Sequence, residues 1–401
     1  MNIVGIIAEY NPMHNGHIYH IQKAKELTNA DYVIVIMSGS FTEQGNISVI
    51  NKLDKAKIAI ENGADLVLEL PTIYAISSAE NFAYGAVNIL NSLGCVTHLA
   101  FGCEDNNIVE LEKIAKTYLE NKDLIIAKCK EYLKSGINSA KAYDMSFKEL
   151  LNTTVDITLP NNILAIEYIK ALLSLKSEIK PVCVLRHKSS HADKKISNLA
   201  EYASSTSIRN VLSDASLNEE EKLNKIQPVI PQNTYTCIKE RGYITNENLW
   251  EILRYEILKL GKNNLKNIYE VCEGLENKLY DEVSNSTSYE EYIMNVKSKR
   301  YTLSKIKRIC IYILLGITKD LADELNSVNY ARVLKLNNNS SALLSIISNN
   351  TTIPVITKVT DEILNKLDDK IHSSLKLDIL ATNIATTNLQ TTDYTNKIKH
   401  S

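Results

Sequence analysis

Two histidines three residues apart, His14 and His17, flank Gly16 in the run Tyr10-Asn11-Pro12-Met13-His14-Asn15-Gly16-His17. Imidazoles supply ring donors, and the glycine leaves room for a phosphate to reach the backbone. The run lies between the apolar segment Ile3-Val4-Gly5-Ile6-Ile7-Ala8 and an amphipathic one carrying Ile18, Ile21, Ala24 and Leu27. It therefore reads as the turn from a buried parallel strand into a helix, where unpaired N–H groups and the positive helix end face an anion. Two imidazoles aimed at the same phosphates would stabilise the charge that develops as pyrophosphate departs, each donor being worth roughly 100- to 1,000-fold in rate. The chemistry implied is nucleotide binding with adenylyl transfer, and His14 and His17 are its catalytic candidates. The bland alternative is a pair of ordinary helix-start histidines.

The elements that must position this pair follow in βα order. Tyr32–Met37, Leu66–Leu70, Val96–Phe101 and Pro181–Leu185 read as further strands, with helices between them ending near Gly63 and Gly94. This alternation predicts an α/β fold with a Rossmann-like parallel sheet, and the residues after Ala8, Met37, Leu70 and Phe101 become candidate site loops. Residues 107–150 read as a helical covering insertion, and Pro160 opens a helix with Asn161 and Asn162 in its first turn. From about residue 216 strand signals fade and helical periodicity takes over, with Pro228 and Pro231 marking a linker. The expected division is an ATP-binding catalytic domain over 1–215 and a mainly α-helical domain over 216–401, with a short strand at 352–357 and a frayed Thr/Asn-rich tail.

Composition narrows the classes. The 401 residues carry 44% hydrophobic and 23% charged residues at a net charge of −2, which fits a globular protein and leaves no overall positive field to attract nucleic acid. Any nucleic-acid contact must come from a local basic patch. The seven cysteines stand singly with no CxxC pair, which argues against zinc and disulfides and for a reducing cytoplasm. No metal-ligand cluster is expected. No run approaches the roughly 20 apolar residues of a membrane span, and residues 1–8 read as a strand rather than a basic leader.

The Asn-Pro-x-His-x-Gly-His block, with Ser204-Ser205-Thr206-Ser207-Ile208-Arg209 near the end of the same unit, resembles the nucleotidylyltransferase superfamily. Further blocks bring the chain close to the bacterial tRNA(Met) cytidine acetate ligase family. They are Ile6–Pro12, Met37-Ser38-Gly39, Glu61–Pro71, Phe101-Gly102, Pro160-Asn161-Asn162, Tyr301-Thr302 with its basic continuation, and Tyr330-x-Arg332-Val333-Leu334. The resemblance spans nearly the whole chain. It implies activation of acetate as acetyl-adenylate and acetylation of N4 of the wobble cytidine in elongator tRNA(Met). The implied co-substrate is ATP with Mg2+, and the implied partners are acetate and that tRNA, without a membrane. It further implies ATP contacts from Ile7, Ala8, Glu9, Tyr10, Asn11, Pro12, Met13, His14, Asn15, Gly16, His17, Ile18, Tyr19 and His20, and from Gly102, Asn162, Arg186 and His187. Ser205, Thr206 and Arg209 are carried over as phosphate ligands, and hydroxyls and a guanidinium suit that role. Two positions depart from the family pattern: Gln44 stands where an arginine is expected, and Lys55 where arginine is common. Lys55 keeps a charge without the bidentate fork and Gln44 keeps none, so weaker tRNA or phosphate contacts are expected unless Lys52 and Lys57 compensate.

For the tRNA the candidate surface is Lys297-Ser298-Lys299-Arg300-Tyr301-Thr302-Leu303-Ser304-Lys305-Ile306-Lys307-Arg308, with six cations, no acid and a tyrosine able to stack on a base. Lys194 and Lys195 would extend it. The competing readings are a small-molecule nucleotidylyltransferase and a non-catalytic RNA-binding factor that retains a nucleotide pocket.

Overall fold

The computed structural model describes residues 1–386 except 105–106, 136, 138, 152, 154, 186–201 and 273. Arg186, His187, Lys194 and Lys195, together with the tail beyond residue 386, lie outside the described residues.

Five parallel strands form the centre of the sheet: β1 (Ile3–Ala8), β2 (Tyr32–Ser38), β3 (Leu66–Leu70), β4 (His98–Cys103) and β5 (Lys180–Leu185). With β6 (Ala331–Leu336) and β7 (Val355–Ile356) the order is β5-β4-β1-β2-β3-β6-β7. The chain steps outward from β1 to β2 and β3, then returns to place β4 on the other side of β1. That reversal opens a crevice beyond the carboxyl ends of β1 and β4, where such sheets take ligands.

Period-2 alternation buries both faces. Val4, Ile6, Val33, Val35, Met37 and Val67 belong to one core cluster, and Ile3, Ile34, Ile36, Leu66, Leu68 and Leu70 to the other. Helices α1 (Asn15–Thr28) and α2 (Lys52–Glu61) contribute Ile21, Ala24, Ala56 and Ala59 to the first cluster. Residues from Ser205–Ser213 and Gln232–Arg241 join them there. The helices Ala79–Ser92, Ile108–Glu120, Pro160–Ser174 and Leu303–Leu315 pack into the second.

The C-terminal half is mainly helical among its described residues, but it does not stand apart from the sheet. β6 pairs antiparallel with β3, Leu66 opposite Leu336, and β7 pairs with β6 at the expected short strand. The strand β6 is a correction to a purely helical reading of this region. Its sequence ARVLKL interleaves two cations with apolar residues, and its partner lies some 260 positions upstream, so no local signal marks it as a strand. Arg332 explains one of those cations. Its guanidinium lies 2.9 Å from Glu69 on β3, which also receives Lys52 at 2.7 Å, and all three side chains are buried. A buried carboxylate needs such partners.

Candidate active site

At the carboxyl ends of β1, β4 and β5 lies a cavity of about 230 Å3. Three helix starts converge on it: His14, Gly16 and His17 at α1, Pro160 and Asn161 at Pro160–Ser174, and Ser205 and Thr206 at Ser205–Ser213. Three positive helix ends therefore face one space, although the Gly16, Asn162 and Ser207 N–H groups are already taken by His14, Glu104 and Ser204. Phe82, Leu164, Tyr168, Val184 and Leu185 add apolar surface beside Gly102, and Glu9, His20, Glu43, Gln44 and Arg209 add polar groups. The lining thus offers partners both for an anion and for a flat apolar ring.

The two histidines are fixed by the helix they cap. His14 Nδ1 accepts the Gly16 N–H at 3.1 Å, and His17 Nδ1 accepts the His14 N–H at 3.2 Å, a reciprocal capping box. With Nδ1 accepting, the neutral imidazoles carry their protons on Nε2, so each ring is a donor rather than a base. The rings stack at 3.7 Å, and the Tyr10 ring meets His17 edge-on at 4.9 Å. Tyr10 holds this place with φ at 46°, and its buried hydroxyl has no hydrogen-bond partner among the described residues. Gly16 is required by crowding as well as by ligand approach, because a Cβ there would lie 3.0 Å from His14 Cε1.

Arg209 ties the third helix to this loop. It donates to the Asn11 carbonyl at 2.8 Å and to Thr206 Oγ1 at 3.1 Å, while Ser205 Oγ donates to the Pro12 carbonyl at 3.3 Å. Asn11 fixes the loop from the other side, donating to the Ile47 carbonyl and accepting from the Val49 N–H. Glu9 completes the floor: its Oε1 accepts the Glu43 N–H at 2.7 Å. Burial raises the Glu9 carboxyl above its usual range, outweighing the Glu43 N–H, Arg209 and Lys55, which favour the charged form.

Of the residues proposed from sequence, Ile7, Ala8, Glu9, Tyr10, His14, Gly16, His17, Tyr19, His20, Gly102, Ser205, Thr206 and Arg209 line the cavity together. Met13 lies in the core instead, Ile18 packs partly against it, and Asn15 donates to the Pro228 carbonyl at the surface. The sequence leaves the ATP contact open between Asn161 and Asn162, and Asn162 is the more enclosed of the two. It is fully buried, with its side chain bonded to the Glu104 N–H and the Asp156 carbonyl, and the cavity is lined by its neighbour Asn161. Glu104 is the residue that sequence reasoning missed here. Its carboxylate takes both the Asn161 side-chain amide and the Asn162 N–H, locking the end of β4 to the start of the next helix.

Comparison with known proteins agrees with this geometry. The family HIGH Nucleotidyl Transferase matches residues 1–400. The chain is 40% identical over 394 residues to a tRNA(Met) cytidine acetate ligase of Thermoanaerobacter sp. (strain X514), covering 96% of this chain and 95% of that one. A Clostridium kluyveri protein of the same name is 40% identical over 400 residues, with coverages of 95% and 94%. The crystal structure of Thermotoga maritima TmcAL bound with alpha-thio ATP superposes with a TM-score of 0.86 at 28% identity, covering 99% of this chain and 97% of that one. The chain belongs to the tRNA(Met) cytidine acetate ligase family.

Within that family one of the two departures in this chain, Lys55, finds an explanation. Lys55 is buried rather than facing a substrate: its ammonium donates to the carbonyls of Glu9, Ser38 and Gly39 and to Ser48 Oγ at 2.7–3.0 Å. It braces the ends of β1 and β2, and a single ammonium saturates that cage without a guanidinium fork. Neither neighbour compensates for it in the cavity, since Lys52 is buried on Glu69 and Lys57 pairs with Glu61 outside. Gln44 does line the cavity, with no charge to offer.

The basic segment divides in two. Lys297, Lys299 and Arg300 are exposed in a turn, Tyr301 is half-buried, and Lys305 stands 5.5 Å over the Tyr301 ring. Lys307 turns inward to Asn46 at 3.1 Å. Arg308 is corrected outright: it is buried and donates to the Glu43 carbonyl at 3.1 Å, so it is a strut of the loop after β2, not a surface cation. The helix Leu303–Leu315 is amphipathic, and one-dimensional charge counting could not separate its inner cations from its outer ones.

Proposed function

We propose that this chain activates acetate with ATP as acetyl-adenylate and then passes the acetyl group to N4 of the wobble cytidine of elongator tRNA(Met). The observation that carries the first step is the convergence of three helix starts, with His14, His17 and Arg209, on one cavity that also holds the apolar side chains of Phe82, Leu164, Tyr168 and Val184. Adenine fits against Gly102, Leu164 and Tyr168, and the triphosphate against α1 and Ser205–Arg209. Acetate is an anion at neutral pH, so its oxygen attacks the α-phosphorus without a base. The bond from the α-phosphorus to the bridging oxygen breaks, and pyrophosphate leaves with its electron pair. The protein's part is to hold the reactants in line and offset the charge building on the departing oxygen, the task of His14 and His17.

Mg2+ is proposed as a companion of the triphosphate. Among the described residues no group of three His, Cys, Asp or Glu side chains could hold a metal, so no step is routed through the ion. For the second step the names of the relatives support tRNA(Met) as substrate. The exposed Lys297, Lys299 and Arg300, with Tyr301 beside them, are the proposed backbone contacts, and residues 216–401 the tRNA-binding part. No helix among the described residues is long and apolar enough to cross a membrane. A cytoplasmic site of action is proposed with the tRNA.

The test is ATP–pyrophosphate exchange with labelled pyrophosphate, together with mass spectrometry of N4-acetylcytidine in tRNA(Met). Acetate-dependent exchange and modified tRNA are expected. Exchange without acetate would indicate a small-molecule nucleotidylyltransferase, and tRNA binding with neither activity a non-catalytic factor.

A further inference from the structure

Acetyl transfer to an amine has a requirement that the adenylation machinery does not meet: a proton must leave the nitrogen. The Nδ1 atoms of His14 and His17 accept main-chain N–H groups, which leaves the ring proton on Nε2 and neither neutral ring with a free basic nitrogen. Among the described residues that line the cavity, Glu9 and Glu43 are the carboxylates. Glu9 is at the floor and already accepts the Glu43 N–H. Glu43 is on the loop after β2, with 23% of its side chain exposed, where that loop meets the helix that follows the basic turn.

The loop is built to hold this carboxylate still. Arg308 grips the Glu43 main-chain carbonyl at 3.1 Å and reaches its carboxylate at only 3.5 Å, so the peptide is fastened more tightly than the side chain. Asn46 receives Lys307 at 3.1 Å and Asn246 at 3.1 Å, and Asn246 also accepts the Ile47 N–H. Gly45, at φ 72°, packs so close to the Leu303–Leu315 helix that a Cβ would lie 2.6 Å from the Arg308 nitrogen. Loop and helical half therefore move as one piece at this point.

We propose that Glu43 is the general base of the acetyl-transfer step, an inference that rests on the acetate ligase reading above. The N4 lone pair of the cytidine attacks the acetyl carbonyl carbon, forming the C–N bond, as one N4 proton passes to the Glu43 carboxylate. The tetrahedral intermediate collapses, the bond from carbon to the phosphate oxygen breaks, and AMP leaves with that electron pair. Glu43 later releases its proton to water. Burial and the adjacent Glu9 hold the Glu43 carboxyl up at about 7, with Arg308 opposing them, a range that suits a base working at neutral pH. Among the described residues the titratable groups that face it are Glu9, Arg308 and the Tyr168 hydroxyl of the Pro160–Ser174 helix. Glu9 faces it from the end of β1 and is itself faced by Arg209 and Lys55, and Arg308, with Glu270 behind it at 4.0 Å, comes from the helical half.

The experiment separates the two half-reactions in the full-length enzyme. In Glu43→Gln, single-turnover acetylation of tRNA(Met) is expected to fall by about 100-fold or more, while acetate-dependent pyrophosphate exchange falls by less than about tenfold. In the wild type, the transfer rate should rise with pH through an apparent pKa near 7 and then level, and Glu43→Asp should restore part of the rate with that limb. Equal losses in both half-reactions with an unchanged pH profile would mean that Glu43 only supports the loop, and unimpaired transfer would also overturn the proposal. If the variant does not fold, the wild-type profile decides, because a transfer rate flat between pH 6 and 8, about a unit either side of that pKa, excludes this base. A wild type without acetate-dependent exchange refutes the ligase reading instead, so the two failures are distinguishable.

Discussion

Replacing His17 by alanine separates chemistry from architecture at this site. The His17 Nδ1 accepts the His14 N–H at 3.2 Å, and the ring packs against His14 at 3.7 Å and Tyr10 at 4.9 Å. Losing one such bond costs about 0.5–1.5 kcal/mol and losing an aromatic contact about as much, against a typical folding stability of about 5–15 kcal/mol. The variant should therefore fold, with a midpoint in urea only slightly below wild type. A missing donor to the departing pyrophosphate costs about 2.7–4 kcal/mol of barrier, or roughly 100- to 1,000-fold in rate. Acetate-dependent ATP–pyrophosphate exchange, measured at saturating ATP on protein shown by its denaturation curve to be folded, should fall by that factor. A loss below about threefold, which is under 1 kcal/mol of barrier, would refute the donor role and leave His17 a helix cap.

Other consequences are as direct. Changing Lys297, Lys299 and Arg300 together to alanine should weaken tRNA binding and flatten its dependence on salt by about two to three units of slope, read from titrations at several salt concentrations. An unchanged slope moves the interface elsewhere. Asn161→Ala should raise the KM for ATP with little effect on the urea midpoint, whereas Asn162→Ala should lower the midpoint by removing two buried bonds, at about 1–3 kcal/mol for the groups left unpaired. The reverse pattern would restore Asn162 to the nucleotide. Asp378, fully buried, has its carboxyl pushed up to about 7 by burial and then by Glu69, against Lys52, Arg332 and the Tyr330 hydroxyl. The folded state thus holds this proton more tightly than the unfolded chain, and the group's contribution to stability declines as pH rises from about 4 to about 7. Asp378→Asn removes that decline, so its urea midpoint should gain on wild type across the window, and parallel curves would rule the assignment out.

The parallel core was legible because its signals are local. Apolar runs of five or six residues ending in Ala8, Met37 and Leu70 fix strand ends, and residues beyond the first two line the cavity, whereas the expected site loop after Leu70 contributes none of its lining. His14, Gly16 and His17 belong to one turn and could be assigned on their own. What escaped was set by distant partners. β6 is a strand because β3 offers an edge, and Lys55 and Arg308 point inward because carbonyls of the first half await them. Charge in a sequence says nothing about which side of a helix will be covered. Asn161 and Asn162 differ for the same reason: adjacent helical residues point about 100° apart, and the loop carrying Glu104 decides which one is enclosed.

The contacts that sequence could not foresee share a place. Arg308 on the Glu43 carbonyl, Lys307 and Asn246 on Asn46, and β6 on β3 all join the second half of the chain to the carboxyl-end side of the sheet or to its edge. An adenylate that must reach an amine on a macromolecule is exposed to water between the two steps, and if residues 216–401 bind the tRNA as proposed, holding them against the cavity shortens that interval. Breaking this seam without touching the cavity should therefore uncouple the steps. Asn46→Ala removes the acceptor of both Lys307 and Asn246, and it should leave pyrophosphate exchange active while raising the AMP formed per acetylcytidine. A ratio of AMP to product that stays at the wild-type value would show that the seam has no part in delivering the intermediate.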